Sequence, residues 1–168
     1  MNIKVSKLYA ATTVLVVAVI LTMTIISCKP LFTDPVQSLI MANAYTDEIY
    51  FQEPLETDGV FSVSYTHSVN KTNVEEYYRL EDGDLYLFKA RYRSFGAGVA
   101  TEIAPGQTLR YEDGYMVIEN IHYKIPSLIY KVGTVSEPLI HIGQKTWHMK
   151  ELAPSLTSVR FTVQQNHL

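Results

Sequence analysis

The chain has 168 residues, 47% hydrophobic and 18% charged, with a formal net charge of −3. This length and composition fit one folded domain and argue against a disordered chain. The mild acidic balance has no broad basic patch, so nucleic acid is not an expected partner. Cys28 is the one cysteine, which leaves no disulfide, thiolate nucleophile or cysteine-based metal site for a folded domain beyond it.

The N-terminus "MNIKVSK" carries Lys4 and Lys7, and Leu8–Ile26 follows as 19 residues without a charge. As a helix this run is roughly 28 Å long, about one bilayer core. Positive charge before it places the N-terminus in the cytoplasm and the remainder outside. "IISC", residues 25–28, also resembles a bacterial lipoprotein cleavage box, with Cys28 as the lipid attachment point. The apolar run exceeds the roughly 7–15 residues of a signal peptide, which favours an uncleaved transmembrane helix. Either tether holds the rest on the outer face of the membrane. The expected layout is an anchor over 1–28, a linker over 29–37 ("KPLFTDPVQ") and an extracytoplasmic domain over 38–168.

From there the pattern is strand upon strand. "SLIMANA" and "DEIYFQEPL" flank a turn at Tyr45–Thr46. "VFSVSYTHSV" alternates, with Phe61, Val63, Tyr65, His67 and Val69 on one face and Ser62, Ser64, Thr66 and Ser68 on the other. Asp82–Gly83 is a two-residue hairpin signal. That turn sets Leu80 opposite Leu85, Tyr78 opposite Leu87, Glu76 opposite Lys89 and Glu75 opposite Ala90. Asp113–Gly114 repeats the device and pairs Leu109 with Ile118. "LIYKVG", "PLIHIGQKTWHM" with a turn at Gly143, and "TSVRFTVQQ" supply further strands. Residues 99–103 and 150–152 could each hold about one helical turn. The expected fold is all-β, an antiparallel sandwich or partly closed barrel of about eight to ten short strands.

Several polar residues interrupt this pattern. His67 lies in phase with the core, where a histidine is usually ring-bonded to a neighbour, though it also suits ligand contact. Ser68, next to it, diverges to the other face, and so does Ser64, so neither pairs with His67 as a catalytic dyad. Glu75 and Glu76 stand back to back, too divergent for a glycosidase pair. Four scattered histidines, His67, His122, His141 and His148, match no metal motif, and no cofactor or catalytic residue is expected. Lys89, Arg91 and Arg93 cluster ahead of Ser94-Phe95-Gly96-Ala97-Gly98, a loop able to turn backbone N–H groups toward an anion. His67, Ser68, Asn70, Glu75, Arg91 and Ser94–Gly98 are the candidate residues for binding a ligand or partner.

Three stretches together, "YTHSVNKTNVEEYY", "ARYRSFGAG" and "EDGYMVIENIHYKIPSLIYKVGTV", resemble the bacterial domain-of-unknown-function family numbered 1850. The resemblance runs from about Leu39 to Val163. It implies a small membrane-anchored protein with no established activity, whose gene often stands beside a tripartite ATP-independent transporter with a TAXI-class solute receptor. The expected role is accessory to such a transporter for small organic anions, with its receptor or permease as partners. An independent module binding a small carboxylate is the alternative, and a hydrolase a more distant one. The cysteine box departs from the plain helix of the usual member.

Overall fold

A computed structural model describes residues 36–69, 71–93, 103–133 and 136–166. The anchor segment 1–28, Cys28 included, and the linker up to residue 35 lie outside them. Among the described residues no helix is long and apolar enough to cross a membrane.

Two antiparallel sheets make up the fold. The smaller has the order β2-β1-β11-β8, built from β2 (Ile49–Pro54), β1 (Val36–Asn43), β11 (Ser158–Asn166) and β8 (Leu128–Lys131). The larger has the order β10-β9-β3-β4-β5-β7-β6. Its strands are β3 (Val60–Thr66), β4 (Asn73–Glu81), β5 (Asp84–Tyr92), β6 (Thr108–Glu112), β7 (Tyr115–Lys124), β9 (Leu139–Ile142) and β10 (Lys145–His148). A single turn of helix, α1 (Met149–Leu152), follows β10. The fold is thus all-β, with eleven described strands in two separate sheets rather than a closed barrel. β1 starts at Val36, inside the stretch read as linker.

The local turns follow their chemistry. Asp82 and Gly83 have φ of 49° and 85°, and Asp113 and Gly114 have 49° and 75°. Two consecutive positive φ values match the right-handed twist of the flanking strands, and Gly takes the second position without a Cβ penalty. The registers Leu80↔Leu85 and Leu109↔Ile118 result. Between β1 and β2 the Asn43 side chain accepts the N–H groups of Tyr45 and Thr46, which closes that turn. Residue 103 has no regular structure, and 99–102 lie outside the described residues.

The ladders that decide the architecture are non-local. β1 and β11, at opposite ends of the domain, pair over their full length from Val36↔Asn166 to Asn43↔Val159. This brings Leu39, Met41, Val159 and Phe161 onto one apolar face. Phe61 and Val63 of β3, Tyr78 of β4 and Ile140 of β9 meet them from the large sheet. The Phe61 ring stacks on Tyr78 at 5.3 Å and on Phe161 at 6.2 Å, tying the sheets together. Burying each such ring contributes about 1.5–3 kcal/mol. α1 tucks the fully buried Met149 under the same core.

Candidate functional site

An irregularity in the β4–β5 ladder sets which residues of these strands share the outer face of the large sheet. In the β4–β5 ladder the register shifts between Tyr77 and Tyr78, so that Tyr78 pairs with Leu87 but Tyr77 pairs with Lys89. Phe88 is the extra residue of a β-bulge. It corrects the pairing expected from the turn: Glu76 faces Ala90 rather than Lys89, and Glu75 faces Arg91 rather than Ala90. Glu75 and Arg91 therefore share a face and form an ion pair, Nη1 to Oε2 at 3.1 Å.

Around this pair the face is polar across several strands. Ser62 Oγ donates to Glu75 Oε1 at 3.3 Å. The Tyr77 hydroxyl sits between Glu75 and Arg91; burial and the Glu75 carboxylate raise its pKa, and Arg91 opposes them. Arg91 and Arg93 both lie over the Tyr115 ring, at 4.5 and 4.8 Å. Tyr115 is lowered by its bond to Asn73 and by these two guanidiniums. Lys89 sits 4.8 Å over the Tyr77 ring and 3.9 Å from Glu119.

Toward β9 the face ends in a serine–histidine contact. Ser64 Oγ lies 2.7 Å from His141 Nε2, and His141 Nδ1 lies 3.0 Å from Thr146 Oγ1. Burial lowers the His141 pKa, with Glu75 acting in the opposite sense. A hydrolase needs such a contact, and sequence alone did not disclose this one. Among the described residues no carboxylate is hydrogen-bonded to the His141 ring. Ser64 is buried and lies mid-strand, paired with Glu75 on one side and Leu139 on the other. The ring's other partner is the Thr146 hydroxyl.

Glu76 projects to the other side, between the sheets. Its Oε2 accepts the Tyr78 hydroxyl at 2.9 Å and the Tyr130 hydroxyl at 2.5 Å, and those hydroxyls are 2.9 Å apart. Tyr65 also directs its hydroxyl to this carboxyl, and Tyr92 feels its charge. Burial first, and then Glu76, raises the pKa of Tyr65, Tyr78 and Tyr92, Tyr92 being pushed up to about 12. Burial raises Tyr130 as well, with Tyr78 and Glu76 adding to it.

The sequence candidates divide between these regions. Glu75 and Arg91 come together as described. β3 stops at Thr66, so His67 and Ser68 sit in the turn that follows instead of continuing the strand. The turn is closed by His67 N–H to the Thr72 carbonyl and Lys71 N–H to the His67 carbonyl. His67 Nδ1 accepts the Val69 N–H at 3.3 Å, and Val69, expected in the core, is 66% exposed. His67 and Ser68 line a pocket of about 300 Å³ with Tyr65 and Tyr130, on the inner side of the sheet. They are thus not on the face of Glu75 and Arg91. Asn70 and the run Ser94, Phe95, Gly96, Ala97 and Gly98 lie outside the described residues.

Fold and site together define a two-sheet antiparallel β domain with a polar outer face and a tyrosine-lined carboxyl within. A family model described as "Domain of unknown function (DUF1850)" matches residues 61–149, and the chain belongs to this family. The match spans the strands of the large sheet together with β8, and leaves out β1, β2 and β11. No curated protein and no solved structure matches the chain.

Proposed function

We propose that the chain is a membrane-tethered extracytoplasmic β domain that acts as an accessory of a TAXI-type tripartite transporter for small organic anions, not as an enzyme. The observation that carries this reading is the outer face of the large sheet. Glu75, Tyr77 and Arg91 form a partly exposed polar patch, held in place by bonds among themselves and to the buried Ser62 hydroxyl beneath. Such a preorganised surface suits docking to a protein partner, and its charged groups set register and partner choice. The anchor run Leu8–Ile26 and the family membership are in keeping with this role. Co-purification of the full chain with receptor or permease subunits tests it, with Arg91→Glu expected to abolish the association. Absence from those complexes, with normal solute uptake in a deletion strain, would sink it.

An independent small-anion-binding module is the second reading. Two guanidiniums, Arg91 and Arg93, share the Tyr115 ring while one carboxylate, Glu75, pairs with Arg91, which leaves positive charge in excess there. Titration calorimetry with small dicarboxylates and amino acids distinguishes this module from the docking role. An absence of heat at millimolar concentration eliminates it.

A further inference from the structure

We infer that the pocket between the sheets at the His67 end is a binding site for a small organic ammonium group. The inference is independent of the accessory role proposed for the outer face. The pocket, about 300 Å³, is walled by Tyr65, Thr66, His67, Ser68, Tyr130 and Ser136 among others. That volume lies at the lower end of small-molecule sites, enough for an amine of a few heavy atoms. The Tyr65 and Tyr130 rings meet edge to face with centroids 5.9 Å apart, and both line the pocket. A cation within about 6 Å of a tyrosine face is attracted by the ring quadrupole, and more strongly where water is excluded.

The same two tyrosines present their hydroxyls to Glu76. A carboxyl therefore stands at the hydroxyl ends of both rings. Among the described residues Glu76 has no cationic partner in an ion pair; its hydrogen bonds come from neutral hydroxyls. Glu76 is partly buried, and a carboxylate in such surroundings is favoured by opposite charge nearby. An ammonium seated against Tyr65 and Tyr130 would supply that charge nearby, while donation from the hydroxyls to Glu76 makes the rings more electron-rich. Lys131 is the basic residue of the described lining. It follows Tyr130 in β8, so its side chain leaves the opposite face of the strand, and it is exposed. The polar rim of His67, Ser68 and Ser136 offers hydroxyl and imidazole groups to whatever the amine carries.

The test is calorimetric titration of the full chain, in maltoside micelles, with tetramethylammonium. tert-Butanol serves as the neutral isostere and acetate as the anion. Saturable binding of tetramethylammonium is expected, with neither control binding. Glu76→Gln keeps the shape and the acceptor but removes the charge, and should weaken binding about tenfold or more. Because Glu76→Gln alters a packed cluster, Ser68→Arg provides a second variant at an exposed position. It places a cation at the rim and should weaken the ammonium without changing the fold. Binding of tert-butanol as tight as the ammonium, tighter binding of acetate, indifference to both variants, or no binding of tetramethylammonium would each overturn the inference.

Discussion

Glu75 and Glu76 are adjacent in β4 and project from opposite faces of the large sheet, and their surroundings could hardly differ more. Glu75, on the outer face, is held by the Arg91 guanidinium, the Ser62 hydroxyl and the Tyr77 hydroxyl. Glu76, on the inner face, is held by tyrosine hydroxyls alone in the described structure. On the outer face, water shares in solvating the charges, so the bonds there order a surface more than they hold the domain together. Between the sheets each polar atom must be satisfied by a partner at fixed distance, because an unmade bond there costs the full desolvation of the group. The outer bonds consequently order a polar face, while the inner ones help set how the two sheets fit.

Mutations can break or sharpen this contrast. The largest effect should come from the core under the inner face. Phe61→Ala removes the ring stacked between Tyr78 and Phe161 and is expected to cost about 3–5 kcal/mol, measured by urea unfolding. Next comes the inner polar cluster. Tyr78→Phe deletes the one hydroxyl that bonds both Glu76 and Tyr130, and should cost about 1–3 kcal/mol with the fold retained. A smaller loss is expected on the outer face. Arg91→Ala, which strands a carboxylate whose side chain is 16% exposed, should cost about 1–2 kcal/mol. If Arg91→Ala proved more destabilising than Tyr78→Phe, the assignment of the inner face to stability would be wrong.

The smallest effect concerns pH. Burial lowers the His141 pKa in the folded state, against the pull of Glu75. The unfolded chain then takes up its proton at a higher pH than the folded chain does. The stability contributed by this neutral ring is complete above the unfolded value near ~6.5 and is lost as pH falls from there toward the lowered folded value. Melting temperatures measured on either side of that value should fall on the acid side. His141→Gln should flatten that part of the profile, and an unchanged slope in this variant would remove His141 as the cause.

Much of this arrangement was legible in the residues. The two Asp-Gly turns dictate their own backbone conformation, so the β4–β5 and β6–β7 hairpins could be registered near their tips, at Leu80↔Leu85 and Leu109↔Ile118. Period-two alternation correctly set Glu75 and Glu76 on opposite faces. The bulge at Phe88 was not legible, since nothing in "YRLEDGDLYLFKARYR" distinguishes a regular ladder from one with an extra residue. That single residue converts Glu75 opposite Ala90 into Glu75 opposite Arg91. Alternation also carried His67 one step too far, because the strand ends at Thr66 where its partner chain turns back. Ser64 and His141 escaped notice for another reason. They are 77 residues apart, and the β3–β9 ladder that joins them leaves no local signal.

By itself, then, the sequence determined the all-β class, most strand positions, the hairpin turns and the family. Each of these rests on local conformational preference or on motifs contiguous in the chain. Only the tertiary structure decided that β1 closes on β11, that Phe61 and Phe161 stack across the two sheets, and that Tyr130 reaches Glu76. These contacts join residues far apart in sequence, and their geometry depends on how two twisted sheets pack. Alternation says which side a residue faces, but packing determines what it finds there.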